Sequence, residues 1–417
     1  MAAVTSRLAR FLARRKTVLG SPTASQPVTV VIGNEAADLD SLISAVSYAY
    51  LKSNTTAKSA GREYIPVVGI PRCDFALRTE CPFTLRTAFP TVDIEAALTF
   101  MDEIDLDALL AADRLEMVLV DHNKLAPSLE RFASAVVGII DHHADEELYG
   151  NANPRVIRVV GSATSLIAEQ WIDAGAADEH MEPGLATAMI AAVLIDTVNL
   201  VEEYARVTDD DRRAVEFLLP YARGAAKPAS GPPVAASLAA DTDQSFLKNL
   251  YAGVHHAKVS ISALSAVDLL RKDYKEWVIA GYRLGISSVS WHIRGSNGWA
   301  ARDGFSNLRA ACSKFAAERN LDLHVVMTAF DYSSGNSNTE SARGFERELL
   351  VNFCGKLADD PNKASAVLTE LEKQTDQLEL QCVEEPDLGT SRLYLQHNIR
   401  SSRKQVQPIM ERILAHL

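Results

Sequence analysis

The feature that most restricts this chain is a recurring unit in which a short apolar, β-branched run stops directly on polar residues. Residues 28–32 (VTVVI) run into GNEAADLD, 116–120 (EMVLV) into Asp121-His122-Asn123, and 136–140 (VVGII) into Asp141-His142-His143. Short strands that are apolar on both faces belong to parallel sheets covered on both sides. A helical pattern follows the first run at 41–51 (SLISAVSYAYL), and others occupy 162–174 and 184–196. Strand, loop and helix in repetition predict an α/β fold with a parallel sheet. Ligands of such sheets bind outside the carboxyl ends of the strands, where the polar residues fall here.

A length of 417 residues exceeds what one hydrophobic core usually serves. The stretch 223–237 (RGAAKPASGPPVAAS) has no apolar period and reads as a linker. The chain therefore divides into a basic N-terminal segment (1–24), a first domain (25–222), the linker (223–239) and a second domain (240–417). Strands are expected in the second domain at 277–282, 323–330, 347–353 and 391–396, with helices near 263–271, 306–319 and 361–377. That order predicts a smaller α/β or α+β domain.

A net charge of −12 argues against general coating of nucleic acid or anionic membranes. No apolar run approaches the roughly 18–20 residues that span a bilayer. The five cysteines lack metal-site spacing and read as reduced, structural thiols of an intracellular protein. Arg7, Arg10, Arg14, Arg15 and Lys16 alternate with Leu8, Phe11 and Leu12. This is a basic surface helix of a cytoplasmic protein, with a mitochondrial presequence as the alternative. No sustained heptad is present, so a monomer is expected.

Asp38 and Asp40 follow the first strand, and two carboxylates two residues apart can each reach a cation. Alone they could equally be helix caps, Asp40 for the helix at 41–51. Asp121, His142 and His143 end two further strands, and Asp196 follows the helix at 184–196. Hard oxygens with one or two imidazoles and no cysteine suit Mg²⁺ or Mn²⁺ better than a closed zinc site.

GNEAADLDS, LVDHN, GIIDHHAD, GSATSLIAEQW and LIDTVNL resemble, in order, the motifs of the DHH phosphoesterase superfamily. LLRKDYKEW (269–277) and SSRKQVQP (401–408) resemble the DHHA2 domain. That domain accompanies family-II inorganic pyrophosphatases, eukaryotic exopolyphosphatases and prune proteins. The resemblance implies a DHH domain that binds metal, a DHHA2 domain that binds phosphate, and an active site in the cleft between them. It implies two divalent metal ions, with Asp38 on one, Asp40 on the other, Asp121 bridging, and His142 and Asp196 completing the ligands of the second ion. His143 would donate to the phosphate, and Lys275, Arg403 and Lys404 would grip its oxygens.

Asn34 stands where family-II pyrophosphatases carry a histidine. An amide oxygen ligand would turn the site toward Mg²⁺, with Mn²⁺ or Co²⁺ as lesser choices. Together with an intact Asp141-His142-His143, the N-E-x-x-D-L-D-S form resembles the fungal cytosolic exopolyphosphatase branch. The expected activity is hydrolysis of the terminal phosphoanhydride of inorganic polyphosphate, with Asp121, His143, Arg403 and Lys404 as catalytic groups. A longer basic track would draw on His255, His256, Lys258, Arg271, Lys272, His292, Arg294, Arg343, Arg347, His397 and Arg400, with Arg294 and Arg347 first. The Gly- and Ser-rich stretches 295–298 and 333–337 read as loops or as lids of that channel. The rival readings are an inorganic pyrophosphatase, a prune-like nucleotide phosphodiesterase, and a phosphate-binding regulatory protein with a decayed site.

Overall fold

The computed structural model describes residues 6–19, 26–55, 62–204, 206–224, 241–261, 264–331 and 344–417. Most of the expected linker, the stretch 333–337 and Arg343 lie outside these residues. The chain divides into two units, Met1–Lys258 and Val259–Leu417.

In the first unit, strands β1 (Val28–Ile32), β2 (Glu63–Val68), β3 (Thr99–Phe100), β4 (Leu115–Val120), β5 (Val136–Asp141) and β6 (Arg155–Ile157) form a sheet. Its order is β3-β2-β1-β4-β5-β6, and every neighbouring pair is parallel. The period of two along each strand sends side chains to two separate cores. Val31, Val118, Val120 and Ile140 face one core, while Val30, Ile32, Met117, Leu119 and Ile139 face the other. Strand order reverses between β1 and β4, so the crevice of the sheet opens at their carboxyl ends.

Helix Pro183–Asp196 is apolar on every side and nearly all of it is buried. It packs among the helices Leu39–Thr55, Glu80–Ala88, Ala163–Ala174 and Asp209–Ala222. A helix buried all round has no solvated face to slide on, which fixes the position of Asp196 at its end. The N-terminal helix Arg7–Leu19 buries Leu8 and Leu12 in the same core, and the Leu8 N–H donates to Glu182 at 2.7 Å. Helix Asp241–Val259 also contributes Leu247, Leu250 and Val254 to this core. The contact boundary therefore falls at 258 and not near the expected 240.

In the second unit, β7 (Tyr274–Ile279), β8 (Tyr282–Val289), β9 (Leu323–Thr328), β12 (Glu348–Phe353), β13 (Leu380–Val383) and β14 (Arg392–Gln396) form a sheet ordered β13-β14-β12-β9-β8-β7. β8 and β9 are parallel and the other pairs antiparallel. A separate short ladder joins β10 (Phe330–Asp331) to β11 (Phe345–Glu346). The strand expected at 277–282 spans a hairpin turn, because Ala280 (φ 48°) and Gly281 (φ 82°) both take the left-handed conformation that a two-residue turn requires. The helix expected at 361–377 stops at Glu372. Among the described residues no helix is long and apolar enough to cross a membrane, and all five cysteines are free.

His324 sits fully buried on β9, where burial pushes its imidazole down to about 3. Ser287 Oγ donates to the Leu270 carbonyl at 2.8 Å, so His324 Nε2–H donates to Ser287 Oγ at 3.0 Å and the ring is neutral. The unfolded chain takes up a proton near pH 6.5 that the folded state refuses. Stability is therefore fully present above about pH 6.5 and falls as pH drops toward 3. Urea unfolding of His324→Leu between pH 6.5 and 4 is expected to show a slope shallower by up to about one proton than wild type.

Candidate metal and phosphate site

The carboxyl ends of β1, β4 and β5 carry the first three groups of the site. Asp38 begins the helix Leu39–Thr55: the Leu42 N–H donates to its carbonyl at 3.0 Å and the Ser41 N–H to its Oδ1 at 3.1 Å. Asp40 caps a different helix. Its Oδ2 accepts from the Ala163 N–H at 2.7 Å, and its Oδ1 from the Thr164 N–H at 2.8 Å, Thr164 Oγ1 at 2.6 Å and Ser162 Oγ at 2.8 Å. The positive end of the helix Ala163–Ala174 thus compensates a carboxylate that is 2% exposed. With Ser44 Oγ at 3.4 Å, four donors crowd Oδ1 and one reaches Oδ2, which keeps a lone pair free.

Asp121 holds φ at +60°, a strained conformation for a non-glycine residue at the end of β4. Its Oδ2 accepts from Ser41 Oγ at 2.6 Å and from Asn34 Nδ2 at 2.8 Å. Its Oδ1 faces His142 Nε2 at 3.2 Å and His143 Nδ1 at 3.8 Å. The Asn34 amide donates through Nδ2 to Asp121, and its Oδ1 accepts from the Ala36 N–H at 2.8 Å.

His142 gives its Nδ1 proton to the Val160 carbonyl at 3.0 Å, which turns Nε2 toward Asp121 and, at 3.9 Å, toward Asp40. Fixing one ring nitrogen this way orients the other as a ligand. Asp141 is fully buried and holds the turn after β5 by accepting from the His142 N–H at 2.7 Å, the His143 N–H at 3.2 Å and His143 Nδ1 at 2.8 Å. Asn123 adds a further donor. The hydrogen bond that His143 donates to Asp141 raises its imidazole above the ordinary value, so its Nε2–H is available to an anion.

Asn34, Asp38, Asp40, Asp121, His142, His143 and Asp196 line one concavity of about 460 Å³, together with Gly161, Arg206 and Thr208. Burial and the charge of Asp40 push Asp121 up to about 7. Burial also raises Asp38 and Asp196, with Asp40 adding to both. Burial alone would lower His142, but the hydrogen bond it donates to Asp121 and the charge of Asp40 lift it to about 10. All four shifts have one meaning: the group is short of positive charge. Hard oxygens and an oriented imidazole suit a divalent cation, and Asp121, His142 and His143 offer ligand atoms within 4.8 Å of one another.

Two residues outside the sequence-derived set hold this wall together. Asp211, fully buried, accepts from the Gly161 N–H at 2.9 Å, the Ser162 N–H at 3.2 Å, Ser165 Oγ at 2.6 Å, and the Thr208 N–H and hydroxyl at 2.7 Å each. Asp141 is the other. Its place at the head of the Asp-His-His triplet was a visible signal, whereas Asp211 lies in a run of three aspartates that reads as the first turn of a helix.

In the second unit, Arg403 pairs with Asp273 at 2.8 Å, just before β7, which carries the exposed Lys275. Arg403 and exposed Lys404 open the helix Arg403–Ala415, whose first turn has no acidic residue. Cations at a helix N-terminus oppose the helix dipole, an arrangement that a bound anion relieves. Arg294 is tied to buried Glu348 at 3.1 Å, and Arg347 donates to the Ile399 carbonyl at 2.7 Å.

Residues 28–193 match the DHH family, N-terminal domain, and residues 254–413 match the DHHA2 domain. The chain is 28% identical over 393 residues to "Exopolyphosphatase PRUNE1" of Rattus norvegicus, covering 94% of this chain and 76% of that protein. It is 29% identical over 425 residues to "Putative exopolyphosphatase" of Schizosaccharomyces pombe, covering 97% of each. It is 24% identical over 266 residues to "Manganese-dependent inorganic pyrophosphatase" of Methanothrix thermoacetophila, covering 62% of this chain and 68% of that one. Together the two matches span most of the length, and the chain consists of a DHH-family N-terminal domain followed by a DHHA2 domain.

Proposed function

We propose that this chain is an exopolyphosphatase, hydrolysing the terminal phosphoanhydride of inorganic polyphosphate to orthophosphate and a chain one unit shorter. The observation that carries the reading is the convergence of four carboxylates, an oriented His142 and an exposed His143 held by Asp141 on one wall. The names of the rat and fission-yeast relatives support it.

Asp38, Asp40, Asp121, His142 and Asp196 would hold two divalent ions, Mg²⁺ in preference to Mn²⁺ or Co²⁺. When bound, such ions supply Lewis-acid polarisation of phosphoryl oxygens and of the attacking water. Asp121 is fixed for this task by Ser41 and Asn34, and His142 by the Val160 carbonyl. Water attacks the terminal phosphorus and the bond to the bridging oxygen breaks. His143, held by Asp141, donates through Nε2 to the oxygen on which charge builds. On the second unit, Lys275, Arg403 and Lys404 bind phosphate oxygens, Arg403 being able to contact two at once.

The match to a manganese-dependent pyrophosphatase favours one rival, in which pyrophosphate is the substrate. Initial rates of orthophosphate release from pyrophosphate, tripolyphosphate and long-chain polyphosphate separate the two. Polyphosphate is expected to be cleaved at least about tenfold faster by kcat/KM; equal or faster cleavage of pyrophosphate would sink the exopolyphosphatase reading. Replacing Asn34 by His places an imidazole beside Asp121. The ratio of Mn²⁺- to Mg²⁺-supported activity is expected to rise about tenfold in Asn34→His.

A further inference from the structure

One basic side chain on the carboxylate wall has no part in the chemistry above. Arg206 lines the concavity and is exposed, and among the described residues it forms no ion pair with the four carboxylates beside it. Its backbone is held firmly. Thr208, two residues on, is locked to Asp211 through both its N–H and its hydroxyl. The Arg206 carbonyl lies so close to Gly161 that a Cβ there would approach it to 2.5 Å.

A guanidinium next to four carboxylates would ordinarily collapse onto one of them. Here Asp40 is committed to a helix N-terminus, Asp121 to Ser41 and His142, and one oxygen of Asp38 to the Ser41 N–H. With divalent ions on that wall, Arg206 would be the cation at its rim left to meet a phosphate. A planar, five-donor guanidinium matches phosphate oxygens in pairs.

We propose that Arg206 binds the phosphate units behind the terminal one, so that the first unit itself selects condensed phosphates of three or more units. This assignment rests on the hydrolase reading for its substrate class, but its test is binding and not turnover. Arg206 is a substrate-binding residue.

The test is calorimetric titration of the full chain, in Mg²⁺, with a methylene-bridged triphosphate analogue whose P–C–P links resist hydrolysis, and with the two-phosphate analogue. Arg206→Gln is expected to weaken the triphosphate analogue about tenfold and the two-phosphate analogue less than about twofold. Arg206→Lys, which keeps the charge and loses the fork, recovers only part of that loss. Arg86→Gln, which removes the same charge from an exposed site outside the concavity, keeps the wild-type Kd. An unchanged Kd in Arg206→Gln, or an equal loss for both analogues, overturns the proposal. Arg206-dependent binding in a chain that releases no phosphate from tripolyphosphate upholds it and defeats the hydrolase reading instead.

Discussion

Asp121→Asn is expected to lower kcat for phosphate release by about a thousandfold or more while leaving the chain folded. The substitution keeps the shape that Ser41 and Asn34 grip but removes the charge that faces His142 at 3.2 Å. An Asn side chain cannot serve two cations with two anionic oxygens, so metal binding should fail with catalysis. The two effects are read separately. Wild type should gain thermal stability on adding Mg²⁺ because a ligand that binds only the folded state stabilises it; Asp121→Asn should gain little. Without added metal the variant should melt no lower than wild type, since Asp121 is a carboxyl that burial and Asp40 make reluctant to ionise. A variant that retains activity would remove Asp121 from the centre of the account.

The second large effect is structural. Asp211→Ala is expected to cost about 3–5 kcal/mol, because its carboxylate satisfies five donors and is fully buried. Main-chain N–H groups of Gly161, Ser162 and Thr208 would be left without partners. For a unit of this size that is a fall in Tm of roughly 6–15 °C. The loop 160–165 also supplies the Val160 carbonyl that orients His142 and the donors that hold Asp40. Activity should therefore fall further than the folded fraction does. Calorimetry beside a rate measurement at a temperature where the variant is still folded checks both; a stable variant with normal kcat would show that the loop does not depend on Asp211.

The strands that carry the site were legible because β1, β4 and β5 are buried on both faces and end abruptly in polar residues. β2 was not read, since Pro66 interrupts EYIPVV and argues against an interior strand. The structure accommodates it because β3 reaches only Val67 and Val68, leaving the edge at Pro66 without a partner strand. In the second unit the hairpin at Ala280-Gly281 escaped notice for want of the usual Asn-Gly signal. Asp38, Asp40, Asp121, His142, His143 and Asp196 were all nameable from their positions at element ends, and they meet on one wall.

Their supports were less visible. Asp40 could be suspected as a cap, but the helix it caps begins 123 residues later at Ala163. No local pattern reveals such a partner. Asp211 acts on backbone groups 49 and 50 residues away, so its own neighbourhood says only that a helix starts. Arg206 stands in no motif, and only the fold places it beside Asp196 and Gly161. Residue type and spacing announce ligands, whereas hydrogen-bonded scaffolding appears only when the chain is folded.

The central claim is that the Asp121 wall is a divalent-metal centre for phosphoanhydride hydrolysis. It is tested most directly by stripping the full chain with EDTA, titrating Mg²⁺ back, and following orthophosphate release from polyphosphate in wild type and Asp121→Asn. The account predicts negligible release after stripping, saturable recovery in wild type and none in the variant. Undiminished release from the stripped protein, or equal recovery in both chains, would contradict it.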